Sequence, residues 1–178
     1  MPAVLDIEPI TDQHAFNIER WKEVCADPRF AEVPERVETN QYGHIIMSPP
    51  PGYSHGRLQS DLVLLFRKFL SDGKVATESP VSTRNGIRAA DVTWISESRL
   101  EESLRENVLT IAPEICVEVL SPSNTKEEIE HKKSLYFSAG ADEVWLCDKN
   151  GRLFFFAKAE PQRSLEASTL CPDFPAEV

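Results

Sequence analysis

The chain has no apolar run long enough to span a bilayer, and its N-terminus has neither the basic nor the apolar region of a signal peptide. A soluble, cytoplasmic protein is expected. Cysteine is scarce: Cys25, Cys116, Cys147 and Cys171 are widely spaced with no CxxC pair, and two of them sit in apolar strand segments. That pattern argues for free thiols and against a zinc site or a disulfide framework. Internal repeats and low-complexity tracts are also missing. Positive charge is in short supply, with 19 Lys and Arg against 29 Asp and Glu and a net charge of −10. This repels a polyanion at long range and weighs against avid, nonspecific nucleic-acid binding. Any such binding would need a local basic patch, for which Arg84, Arg88, Lys132 and Lys133 are the candidates.

What is present fits one domain. A length of 178 residues with 41% hydrophobic content buries one core and is too short for two. Residues 1–35 read as a helical extension and 36–178 as the main domain. Within the extension, Thr11 to Ala26 can form a helix anchored by Phe16, Trp21 and Val24 and stopped by Asp27-Pro28. Arg36 to Met47 reads as a hairpin, closed by the rigid run Ser48-Pro49-Pro50-Pro51-Gly52. Ser54 can cap a helix to about Leu70, because Leu58, Leu62, Leu65, Phe66 and Phe69 recur on one side. Lys74 to Ser82 and Ile87 to Ile95 then form two strands around Asn85-Gly86. The charged stretch from Ser96 to Asn107 reads as a loop with a short helix, and Ile111 to Leu120 as a buried strand. A helix from Asn124 to Ala139, capped by Ser123 or Asn124 and ended by Gly140, precedes two strands, Val144 to Cys147 and Leu153 to Ala157. The order implies an α/β (α+β) domain, a mixed β-sheet core flanked by helices.

Three polar residues stand where that core should be apolar: Asp91 in one strand, Glu118 in the next and Lys132 in the following helix. On adjacent strands, two ionised carboxylates about 4 Å apart repel by roughly 4 kcal/mol at an effective dielectric near 20, so they need a cation or a shared proton. A divalent metal meets that need; a structural ion pair with Lys132 or Arg88 is the alternative. Lys132 falls near the centre of the apolar stripe of Ile129, Leu135, Tyr136 and Ala139, with Lys133 at its edge. It either meets a carboxylate or phosphate or snorkels. Glu78, in the preceding strand, reaches the same metal or is an exposed strand residue. His55 faces inward and serves as a phosphate contact or proton carrier, or is a satisfied histidine near a helix start. Glu38, judged from the hairpin alone, reads as solvated.

At these residues the chain resembles the Uma-two family of restriction-endonuclease-like proteins, a branch of the PD-(D/E)XK nuclease superfamily. The likeness rests on Val37-Glu38, Tyr42-Gly43-His44-Ile45, His55, Ala90-Asp91-Val92, the run from Ala112 to Ser123, Lys132 to Tyr136, and Glu143 to Asp148. It implies a restriction-endonuclease-like fold, Asp91 and Glu118 as metal-binding acids, and Glu38 and His55 near the cleft. Two departures stand out: Ala90 replaces the usual proline before the aspartate, and Leu120 replaces the superfamily's strand lysine. Lys132 takes the place of that lysine from the helix.

Together these readings predict an endonuclease that hydrolyses DNA phosphodiester bonds with Mg²⁺ or Mn²⁺. Asp91 and Glu118 would hold the metal and Lys132 would position water or phosphate, supported by Glu38, His55 and Glu78. A homodimer is expected from the extension and from the two strands of duplex DNA. The alternatives are a catalytically inert interaction or regulatory module on the same fold, and a hydrolase of a smaller phosphate ester, which the acidic charge would penalise less.

Overall fold

The computed structural model describes residues 10–31, 33 and 36–178. The first helix, α1 (Gln13–Ala26), is capped by Asp12, whose carboxylate accepts the N–H of Ala15. Phe16 and Trp21 are only half-buried; the most buried residue of α1 is Asn17, which donates to Ser82 Oγ and the Thr83 carbonyl. Next comes a separate two-stranded hairpin, β1 (Arg36–Thr39) and β2 (Ile45–Ser48). α2 (Tyr53–Phe69) begins at Gly52, so Ser54 lies in its first turn and is not the cap. β3 (Lys74–Thr83) and β4 (Gly86–Ile95) form the expected long antiparallel hairpin.

Gly86 has φ +94, and a Cβ there would collide with the Thr39 carbonyl. That close approach, with Ile87 N–H donating to Thr39 Oγ1 and Arg88 to the Thr39 carbonyl at 2.7 Å, clamps the β1–β2 hairpin against β4. The segment after β4 holds α3 (Glu97–Ser103) and a short hairpin, β5 (Leu104–Arg105) and β6 (Val108–Leu109), which alternation over so few residues could not reveal. β7 (Ile115–Val119) is shorter than the apolar run suggests. α4 (Lys126–Ala139) starts at Thr125, where a capping box with Glu128 outcompetes the expected Ser123 or Asn124. β8 (Glu143–Cys147) and β9 (Leu153–Ala157) follow.

Seven strands form one mixed sheet in the order β5-β6-β3-β4-β7-β8-β9, parallel at β3/β6 and β7/β8 and antiparallel elsewhere. Apolar residues of α2 (Leu58, Leu62, Phe66) pack with Val92, Val117, Trp145, Phe155 and Phe174. A second cluster joins Tyr136 and Phe137 of α4 to Val81, Ala90, Cys116, Val144 and Phe156. Each fully buried large side chain contributes roughly 1.5–3 kcal/mol, so the two clusters hold both helices on the sheet. The C-terminal segment has no long element, yet it is pinned: buried Glu143 accepts from Trp145 Nε1, Ser168 Oγ and the N–H groups of Thr169 and Leu170. All four cysteines are free, and burial pushes Cys147 up to about 12. Among the described residues no helix is long and apolar enough to cross a membrane.

Candidate active site

The β4–β7 ladder pairs Val92 with Val117, Thr93 with Cys116 and Trp94 with Ile115. Just beyond it, Asp91 inserts its side chain between the strands, and Oδ2 accepts the backbone N–H of Val119 at 2.6 Å. The neighbouring Glu118 is buried beside it. Lys132 Nζ lies 3.0 Å from Glu118 Oε2, and the hydroxyl of Tyr136 donates to Glu118 Oε1 at 2.6 Å. Lys132 and Tyr136 are one helical turn apart on α4, so both reach the same carboxylate.

Glu38 is buried, not solvated: Oε1 accepts the N–H of Ala89 at 2.9 Å and lies 3.7 Å from Lys132 Nζ, and Oε2 lies 3.7 Å from Arg88. The clamped hairpin carries it inward. Arg88 and Lys133 are themselves buried, the latter with its ammonium 3.8 Å above the Phe156 ring, and Lys132 is paired. The expected basic patch of Arg84, Arg88, Lys132 and Lys133 is therefore not an exposed surface; only Arg84 of the four is fully exposed.

On the other side of Asp91, Glu78 sits opposite it on β3 at φ 53, a left-handed conformation rare for a strand residue. Its side chain accepts from Gln59 Nε2 and from Arg36, whose Nε is 2.6 Å from Oε2 and Nη2 2.7 Å from Oε1. Arg36 Nη2 also donates to Asp91 Oδ1. His55 reaches the same oxygen from the first turn of α2, its Nε2 at 3.3 Å. That nitrogen is buried with no hydrogen-bond partner.

The electrostatics divide the two acids. Burial works against ionised Asp91, but His55 and Arg36 outweigh it and hold the carboxyl below its ordinary value. Burial raises Glu118 to about 7, with Lys132 pulling the other way and Asp91 adding to the rise. For Lys132 burial is again the largest influence and lowers the value, but Glu118 and Glu38 reverse it and the ammonium is held more tightly. The carboxylate repulsion expected from the strands is thus relieved by a cation on each acid and by the higher proton affinity of Glu118.

The residues fit a divalent ion. One ring nitrogen of His55 and one oxygen each of Glu78 and Asp91 lie within 4.8 Å of one another. An imidazole with two carboxylates is a donor set for a divalent ion, and the His55 nitrogen, buried without a hydrogen bond, is the kind of group a ligand would satisfy.

The family model described as "Putative restriction endonuclease", Uma2, matches residues 26–177. The chain belongs to this family. Among solved structures, a protein described as "a putative nuclease belonging to DUF820", from Anabaena variabilis, superposes with a TM-score of 0.59 at 23% identity. The match covers 75% of this chain and 78% of that one, so the fold is shared. No curated protein matches the chain.

The six residues picked from the sequence of this Uma-two member fall into two groups: His55 and Glu78 converge on Asp91, while Glu38 and Glu118 both face Lys132, so Glu118, expected as a metal ligand, lies outside the His55–Glu78–Asp91 donor group. Three partners were missed. Gln59 is one turn after His55 on the inward face of α2, and Tyr136 one turn after Lys132, so helical spacing signalled both. Arg36 lies two residues before Glu38 on the same face of β1, a signal available once Glu38 is taken as inward.

Proposed function

We propose that this Uma-two protein is a divalent-metal-dependent endonuclease acting on DNA, with Asp91 and Glu118 as its central acids. The observation that carries the reading is the Asp91–Glu118–Lys132 cluster: two buried carboxylates from adjacent strands with an ammonium 3.0 Å from one of them. A bound Mg²⁺ or Mn²⁺ would activate a water and offset the charge that builds on the scissile phosphate. Asp91, ionised and fixed by the Val119 N–H, is the anchoring ligand. Glu118, with a value near 7, can take a proton from water at neutral pH while Tyr136 and Lys132 hold it in place. Lys132 keeps its proton, so it acts as a fixed positive charge toward phosphate and not as a base. His55 and Glu78 complete the ligand set and Glu38 orients Lys132. We place the extension–domain boundary near residue 35, and cutting both strands of a duplex calls for two copies.

A second reading has its own support: in the absence of metal every acid here already has a partner, as expected of an inert binding module that keeps the nuclease fold. A third, hydrolysis of a smaller phosphate ester, follows from the net charge of −10. Incubating supercoiled plasmid, single-stranded DNA and bis(p-nitrophenyl) phosphate separately with Mg²⁺ or Mn²⁺ sorts the three. Nucleic-acid cutting supports the endonuclease, turnover of the small ester alone supports the third reading, and inertness toward all three supports the module.

A further inference from the structure

We infer that Arg36 is the resident cation of the metal seat, and that its guanidinium must leave the Glu78–Asp91 pair before a divalent ion can enter. The inference rests on the metal-dependent reading above and adds a gate to it. Arg36 Nη2 bridges Glu78 Oε1 and Asp91 Oδ1, and Nε takes Glu78 Oε2. Glu78 and Asp91 are two of the three residues whose donor atoms converge within 4.8 Å. A guanidinium bonded to both carboxylates and an ion coordinated by them cannot occupy that space together. The third donor, the His55 imidazole, has its Nε2 3.3 Å from Asp91 Oδ1, the oxygen Arg36 holds, yet forms no hydrogen bond there. The seat is thus filled by a group that satisfies the carboxylates and leaves the imidazole unsatisfied.

Charge favours exchange over simple addition of the ion. Around the cleft four carboxylates (Glu38, Glu78, Asp91, Glu118) face three cations (Arg36, Arg88, Lys132). Adding a divalent ion while Arg36 remains makes the cluster net positive. With Arg36 swung out the same groups and the ion balance. Arg36 starts β1, ahead of the clamp at Thr39, so its side chain can move without unseating the hairpin.

The test is the affinity of the metal alone, read without any turnover. Free Mn²⁺ is titrated by electron paramagnetic resonance against the full chain as parent, Arg36→Met and Arg36→Lys, each checked for folding by circular dichroism. We expect Arg36→Met to bind Mn²⁺ at least tenfold more tightly than the parent, and Arg36→Lys to lie between them, because an ammonium reaches one carboxylate at a time. Equal affinity in all three, or weaker binding by Arg36→Met, overturns the gate and leaves the metal-dependent reading standing. If neither the parent nor the variants bind Mn²⁺, both fall. Should Arg36→Met fail to fold, the comparison of Arg36→Lys with the parent decides: tighter binding supports the gate, unchanged or weaker binding overturns it.

Discussion

Asp91 accepts the backbone N–H of Val119 at 2.6 Å, so a side chain of β4 takes over from the sheet ladder at the point where β7 presents Glu118. The bond sets the spacing between the two acids. It also makes Asp91 structural as well as chemical.

Removing Asp91 therefore has two consequences. Asp91→Ala leaves a buried N–H without an acceptor and takes one of two carboxylates from Arg36, a cost of about 3 kcal/mol. Urea unfolding should show that loss in the metal-free protein, and Mn²⁺ should no longer raise the melting temperature of the variant. Asp91→Asn, which keeps an acceptor for Val119, should lose less stability.

The pH dependence of folding should carry the signature of Glu118. Its folded value is raised from 4.5 to about 7, so the folded state holds the proton more tightly than the unfolded one. The stability this contributes is complete below about pH 4.5 and is lost as pH rises through 7. Its full size is on the order of 3 kcal/mol, from 1.4 kcal/mol per unit. Glu118→Gln has no such proton, so the variant should gain on the parent by that order between pH 4.5 and pH 8 in metal-free unfolding experiments. Lys132, raised from 10.5, keeps its proton throughout this window and does not blur the comparison.

Glu78 should separate backbone strain from chemistry. Its φ of 53 costs about 1 kcal/mol or more, which glycine would relieve. We expect Glu78→Gly to keep stability within about 1 kcal/mol of the parent, as relief offsets the lost Arg36 and Gln59 bonds. Glu78→Val, β-branched and without either bond, should lose about 3 kcal/mol. Thermal unfolding of the two variants checks the ordering.

The large elements and the acids were legible because their signals are local. Asn85-Gly86 between alternating runs marks the β3–β4 hairpin, and a carboxylate inside Ile115–Val119 is conspicuous. The caps were less so, since Ser123, Asn124 and Thr125 are all good N-caps and only the reciprocal bonds with Glu128 decide. The burial of Glu38, which the family resemblance alone placed near the cleft, and of Arg36 was hidden for a different reason. Their burial depends on the hairpin docking through Gly86, Thr39 and Arg88, contacts about 50 positions apart in the chain. The left-handed turn at Glu78 had no glycine or asparagine to announce it.

Cleavage of supercoiled plasmid in Mn²⁺ by identically purified parent, Asp91→Asn, Glu118→Gln and Lys132→Met tests the central claim most directly. We expect the parent to nick or linearise the plasmid, the two acid variants to lose that activity by at least a hundredfold, and Lys132→Met to lose it while still binding Mn²⁺. Cutting that survives in the acid variants, or a parent that binds Mn²⁺ yet cuts no nucleic acid, would contradict the assignment of this cluster to phosphodiester hydrolysis.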